Sequence, residues 1–285
     1  MKRIAFLSAD NLEGYVFDDH LAIEPLRELG WNVDTVSWRR SDLDWSVFAG
    51  VVIRTTWDYH NHVTEFLDVL NLIESTTKLA NPLSIVKWNA NKTYLRLLES
   101  HGARVVQTIW GEGQVESQHI QRWFAELETD DIVVKPTVSA SAVDTFRVQK
   151  QFPIDAKVSA TFAGRQFMVQ PFMNGIISEG EFSLFYFRGN YSHTILKTPK
   201  ARDFRVQEEH GGLIQAVEPS DGILNAGKAV MALIEPTPLY ARIDLVRDKD
   251  EFVLMELELI EPALYLRMDE GAPQRFARAI DEWLG

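Results

Sequence analysis

LYARIDLVRDKDEFVLMELELIEP, residues 239–262, decides how this chain is read. Two apolar runs flank the turn-like Arg247-Asp248-Lys249-Asp250-Glu251, the pattern of an antiparallel hairpin. If Asp248 opposes Phe252 across a three-residue loop, Asp244 opposes Glu256 and Arg242 opposes Glu258. Side chains alternate with period two, so Arg242, Asp244, Glu256 and Glu258 share one face with Val246, Leu254 and Ile260, while Ile243, Leu245, Val253, Met255, Leu257 and Leu259 share the other. Three carboxylates then crowd one patch. Like charges a few ångströms apart are costly unless one is protonated, an arginine neutralises them, or a hard cation bridges them. Magnesium, which prefers oxygen ligands, is the simplest answer; an amphipathic hairpin with a wet polar face is the alternative.

The chain around this hairpin has 285 residues, 46% apolar and 25% charged, an ordinary globular composition. No apolar run approaches the roughly 20 residues of a bilayer span, and MKRIAFLSAD reaches acidic residues too soon for a signal peptide, so a cytoplasmic protein is expected. The absence of cysteine excludes a disulfide framework, a thiolate zinc site and a cysteine nucleophile. Lys plus Arg number 29 against 41 Asp plus Glu, a net charge of −12 that repels a phosphate backbone. Nucleic acid and membrane are not expected partners. An anionic small ligand needs a local cluster of cations inside one cleft.

The opening third alternates short apolar runs, residues 4–9, 33–38 and 50–54, with helix-period segments over 21–29 and 63–74. That is the pattern of βαβ units and of a small parallel sheet. After the turn signal Asn81-Pro82, the spacing predicts a helix over 89–101, and a domain boundary is placed near residue 86. Strands are expected over 132–135, 167–172, 181–187, 191–197, 240–246 and 252–260, and an amphipathic helix over 273–284.

Three further segments carry nucleotide-type chemistry. Ile132 to Pro136 ends an apolar strand in Lys135, followed by the small-residue loop Thr137-Val138-Ser139-Ala140-Ser141-Ala142, whose backbone can approach phosphates. Taken alone, Lys135 reads first as a surface lysine at a strand end. Phe167 to Phe172, with Val169 and Gln170, can offer backbone groups to an adenine edge, and Glu181 can accept from ribose hydroxyls; a core strand and turn is the alternative. Lys197, Lys200, Arg202 and Arg205, followed by His210-Gly211-Gly212, form the most basic stretch, either a phosphoryl-binding segment or a solvated loop. Arg54, at the end of a parallel-type strand, is placed to clamp a substrate carboxylate or else to pair with Asp58.

In chain order, Lys92, Lys135, the Gln170–Phe172 hinge, Glu181, Arg205, Gly211-Gly212, Asp244 and Glu256-Leu257-Glu258 resemble the ATP-grasp superfamily from about residue 85 onward. The first third resembles its pre-ATP-grasp domain. Within the superfamily the chain is similar to bacterial glutathione synthetase. It is closer to the O-ureido-D-serine cyclo-ligase family of cycloserine biosynthesis, through RTTWDY (54–59), SEGEFSLFYF (178–187), DFRVQEEHGG (203–212) and LMELELIEP (254–262).

The resemblance implies an α/β (α+β) fold: a pre-ATP-grasp domain over 1–86 and two ATP-grasp subdomains over 87–175 and 176–285. It implies that Lys92 and Lys135 contact ATP phosphates, that Val169, Gln170, Phe172 and Met255 meet adenine, and that Glu181 meets ribose. Asp244, Glu256 and Glu258 would hold one or two Mg2+ ions, with Mn2+ as a substitute. Lys197, Arg205 and Arg242 would act in catalysis, and Arg54, Gly211, Gly212 and Glu261 on the substrate. Relatives commonly carry Asn where Glu258 stands, and Gly where the small-residue loop has Ser and Ala.

The implied reaction joins a carboxylate to an amine through an acyl phosphate, releasing ADP and phosphate. The expected partner is a small amino-acid-like molecule, with intramolecular ligation and homodimerisation left open. A non-catalytic nucleotide-binding module is the second candidate. A hydrolase with paired acids is the third, and it leaves the lysines idle.

Overall fold

In a computed structural model, which describes residues 2–139, 142–153, 155–201 and 203–285, the chain builds three sheets. Strands β1 (Lys2–Ser8), β2 (Trp31–Ser37), β3 (Gly50–Thr55) and β4 (Lys78–Ala80) form a parallel sheet in the order β2-β1-β3-β4. All six residues of β3 are buried, and Val51, Val52 and Ile53 supply the apolar run of a central parallel strand before Arg54 and Thr55. The helix Val63–Thr76 covers one face with Phe66, Leu70 and Ile73, one stripe at helical spacing.

A second, antiparallel sheet is formed by β5 (Ile109–Glu112), β6 (Asp131–Pro136), β7 (Phe146–Gln149) and β8 (Gln166–Pro171), in the order β5-β8-β6-β7. The third contains β9 (Glu181–Phe187), β10 (Asn190–Thr198), β11 (Leu213–Ala216), β12 (Tyr240–Asp248) and β13 (Glu251–Glu258), in the order β11-β10-β9-β12-β13. The mixed α/β class is therefore as expected. The helix Ala272–Leu284 returns to the start of the chain, where Phe276 and Ile280 share one core with Ile4, Phe6 and Val52 of the parallel sheet and Phe185 and Phe187 of β9. No helix of the described residues is long and apolar enough to cross a membrane.

Two local expectations are corrected. The helix expected over 89–101 begins only at Tyr94 and runs to Ser100, and a separate helix, Leu83–Asn89, precedes it. Between them the Asn91 side chain accepts from the Thr93 amide at 3.0 Å, an Asx-type turn that breaks the helix and seats Lys92 in the gap.

The hairpin register is the second. Arg242 opposes Glu258 and Asp244 opposes Glu256 as expected, but the pairing shifts between Asp244 and Leu245, so that Leu245 faces Leu254 and Asp248 faces Glu251. Met255 is the extra residue of a β-bulge, and the turn holds only Lys249 and Asp250. Beyond the bulge the alternation inverts on β13. Leu254 joins Leu245 and Leu257 in one core, whereas Val253 packs with Val246. Strict alternation had placed Leu254 on the carboxylate face.

Candidate active site

A cavity of about 280 Å³ opens where the three sheets meet, and most of the chemistry named above lines it. Lys135 comes from β6, Glu181 from β9, Lys197 from β10, Arg242 and Asp244 from β12, and Met255, Glu256 and Glu258 from β13. Gln170, Phe172, Lys92, Arg205 and Glu261 of the expected residues line it as well.

Side-chain amides hold the β12–β13 hairpin in place. Asn89 donates to the Leu257 carbonyl and accepts from the Leu259 amide, both at 2.9 Å, as a neighbouring strand would. Asn81 donates to the carbonyls of Tyr240 and Leu259 and accepts from the Leu239 amide. The Tyr94 hydroxyl accepts from the Leu257 amide at 2.9 Å. Backbone groups at this end of the sheet would otherwise be buried without partners.

The three acids of the hairpin occupy one wall, and each is engaged by a different set of cations. Asp244 is 1% exposed and receives Arg242 Nη2 at 2.9 Å, Lys197 Nζ at 3.4 Å and the Ser183 hydroxyl at 2.5 Å. Burial raises its pKa, and Arg242 and Lys197 outweigh that and hold it down at about 2. Glu256 pairs with Lys92 at 2.9 Å, and Glu258 pairs with the same Arg242 guanidinium. Burial first, then the neighbouring Glu256 and Asp244 charges, push Glu258 up to about 7 against the pull of Arg242. Among the described residues no group of three acidic or imidazole side chains converges in metal-ligating geometry. The donors are nonetheless hard oxygens on adjacent rungs, a set whose chemistry suits magnesium once lysine partners turn away.

The cations differ in how firmly they are held. Lys197 sits between Glu181 at 2.5 Å and Asp244 at 3.4 Å, 3% exposed. Lys92 also donates to the Ser139 carbonyl at 2.8 Å, which fastens the small-residue loop to the break between helices. Ala140 and Ser141 of that loop, and Arg202 of the basic stretch, lie outside the described residues. Lys135 has no hydrogen bond or ion pair among the described residues, and burial pulls its pKa below the usual lysine value. Arg205 is tied to Asp203 through Nη2 at 2.9 Å.

Met255, carried round by the bulge, lines the cavity and packs beside Val246, Val253, Met173, Ile176 and Val106 as an apolar slot. The Gln170 amide at its edge donates to Thr108 at 2.9 Å. Phe172 lies under the Arg147 guanidinium at 3.6 Å and meets Phe204 edge to face at 6.1 Å.

Four of the expected residues are placed elsewhere. Arg54 is 1% exposed and does not line the cavity. Its Nε donates to Asp19 at 3.0 Å and its Nη2 to the Pro262 carbonyl at 2.9 Å, over the rings of Tyr240 and Phe276. Asp58, the other partner weighed for it, accepts instead from the Trp38 indole at 2.8 Å. Gly211 and Gly212 are not lining residues either. Gly211 adopts φ 83°, and a Cβ on Gly212 would stand 2.0 Å from the Val206 carbonyl, so both serve the turn. Val169 is buried in the core of the second sheet.

Other lining residues carried no signal in the sequence. Tyr15 and Trp57 face each other at 5.0 Å, and the Trp57 indole donates to the Glu261 carbonyl at 2.9 Å. The Glu261 side chain makes no hydrogen bond or ion pair among the described residues, and burial, with Glu258 nearby, drives its pKa well above the usual carboxylate range. RTTWDY, read for Arg54, and Glu261 at the end of LMELELIEP pointed at this corner.

Comparison with known proteins fits this geometry. A family model described as the N-terminal domain of D-cycloserine synthetase DcsG matches residues 4–81. The cycloserine biosynthesis protein DcsG of Streptomyces lavendulae is 31% identical over 278 residues, 92% of each chain. The crystal structure of D-cycloserine synthetase DcsG aligns with a TM-score of 0.85 at 27% identity, over 99% of this chain and 100% of that one. D-alanine–D-alanine ligase from Bacillus anthracis shares the fold, with a TM-score of 0.71 at 13% identity over 100% and 97% of the two chains.

Proposed function

The chain belongs to the D-cycloserine synthetase family of ATP-grasp ligases, and from that premise we propose that it uses ATP and Mg2+ to join a carboxylate to an amine through an acyl phosphate. The substrate is an amino-acid-like molecule that carries its own nucleophilic nitrogen, O-ureido-D-serine or a close analogue, so that ligation closes a ring; the work is done in the cytoplasm. What supports this reading above all is the meeting of Lys135, Lys197 and the three hairpin acids in one cavity beside the Met255 slot.

The apolar slot of Met173, Ile176 and Met255, backed by Val246, would take the adenine, with Glu181 toward the ribose and Gln170 and Phe172 along the base. Lys135, unpaired, and Lys92 would meet the phosphates. Glu256 and Glu258, with Asp244, would hold magnesium, which neutralises phosphate charge as the phosphoryl group moves. Asp244 is the least free of the three, saturated by Arg242, Lys197 and Ser183.

The substrate carboxylate oxygen attacks the γ-phosphorus and ADP leaves. The amine then attacks the acyl carbon, and phosphate departs with the C–O electron pair. Arg242, Lys197 and Arg205 lower the repulsion between a carboxylate and a triphosphate, and their fixed ion pairs make that field preorganised. Glu261, without a partner beside Trp57, would meet the substrate's amino group.

Incubation with O-ureido-D-serine, ATP and Mg2+ should release ADP and phosphate in equal amounts with cyclised product, and hydroxylamine should trap a hydroxamate. AMP and pyrophosphate would rule out the acyl phosphate. A chain that binds ATP but never yields ADP is a nucleotide-binding module instead.

A further inference from the structure

Arg267 lies in a short turn after Tyr265, and its guanidinium rests 5.1 Å from that cavity-lining ring. Nη1 donates to both oxygens of Asp18, at 3.1 and 2.9 Å. Nη2 donates to both oxygens of Glu208, at 2.9 and 2.8 Å. Asp18 follows the stretch in which Gly14, Tyr15 and Val16 line the cavity, and Glu208 lies within the run of lining residues from Phe204 to Glu209. One cation thus joins two segments of the cavity wall that are far apart in sequence.

Its removal does more than break hydrogen bonds. Two carboxylates would be left close together with nothing between them, and like charges at such a distance repel. Asp19, the next residue, is anchored separately by Arg54, so the first segment keeps its seat and the Glu208 segment is the one released.

We infer that Arg267 is a positioning residue that holds segments 14–18 and 204–209 together over the cavity and thereby keeps water from the activated acyl group. This rests on the ligase reading above. A leaking site hydrolyses its intermediate: water oxygen bonds to the acyl carbon, phosphate leaves, and the carboxylate is regenerated. The net change is ATP plus water to ADP plus phosphate, with no C–N bond made.

The test uses the full chain with ATP, Mg2+ and O-ureido-D-serine, measuring ADP and cyclised product together. The native chain should give equal amounts. Arg267→Ala should give a several-fold excess of ADP, with KM for the amino acid raised about 5-fold or more and KM for ATP within about 2-fold. Equal amounts in the variant, at whatever kcat, overturn the proposal. Glu208→Gln, at a partly exposed site that tolerates change, should leak in the same direction, and no leak there overturns it too.

A readout free of turnover separates this from the ligase reading. Without nucleotide, trypsin should cut after Arg205 several-fold faster in Arg267→Ala than in the native chain, and equal rates refute the latch. Failure of the ligase reading shows instead in the native chain, as no ADP with any carboxylate.

Discussion

Asp244 and Glu256 face each other across one rung of the hairpin, yet their carboxylates answer to different cations, Arg242 and Lys197 for the first and Lys92 for the second. The rung brings the acids together, and the lysines and arginine keep them from repelling. A dication arriving with a nucleotide would compete with Lys92 for Glu256, and the freed ammonium could then turn to phosphate.

Glu256→Gln tests that exchange. The amide keeps the shape but loses the charge that Lys92 and a metal both need, so turnover should fall about 100-fold or more, partly restored by high magnesium. Kinetics across a magnesium titration measure it; full activity at low magnesium would remove Glu256 from the metal set.

Met255→Ala should weaken ATP binding by roughly 5- to 30-fold, the loss of about 1–2 kcal/mol of apolar contact, while chain stability changes little because the side chain is only partly buried. Calorimetric titration with a non-hydrolysable ATP analogue gives the affinity. Unchanged binding would place the base elsewhere.

Asn89→Ala leaves the Leu257 carbonyl and the Leu259 amide without their partner. Two buried backbone groups orphaned together should cost roughly 2–4 kcal/mol in urea unfolding. Glu256 and Glu258 lie on the strand that Asn89 holds, so nucleotide affinity should fall as well.

His193 couples stability to pH. Its ring stacks on Phe185 at 4.3 Å, Nε2 donates to the Leu264 carbonyl at 3.0 Å, and burial lowers its pKa to about 4. The unfolded chain, with an ordinary histidine, binds the proton first as pH falls below about 6.5. This contribution is therefore complete above that pH and is lost as pH drops toward about 4, by roughly 3 kcal/mol in all. His193→Gln should flatten the dependence between pH 7 and 5, as read from urea midpoints; an unchanged slope assigns it to other groups.

The hairpin was legible because charges placed every second residue in an apolar run admit one register at the rungs that matter. The bulge was not, since Met255 is one apolar residue among apolar neighbours and only the packing of Val253 on Val246 demands the extra step. Strands β5 and β7, four residues each, are too short for an alternation to stand out, even where β7 shows one in Phe146-Arg147-Val148-Gln149. Arg54 was misread because a strand-end arginine looks the same whether it meets a ligand or, as here, an aspartate 35 residues away. Arg267 gave no sign at all: Asp18 stands just before one short 3-10 turn and Glu208 opens another, and no periodicity links them.

The helix Ala272–Leu284 gives the parallel sheet part of its hydrophobic cover, through Phe276 and Ile280 on Ile4, Phe6 and Val52. During synthesis those strands leave the ribosome long before that cover exists. Until that helix has been made, this face of the first unit stays bare, a delay that long-range contacts impose on folding and that invites chaperone attention.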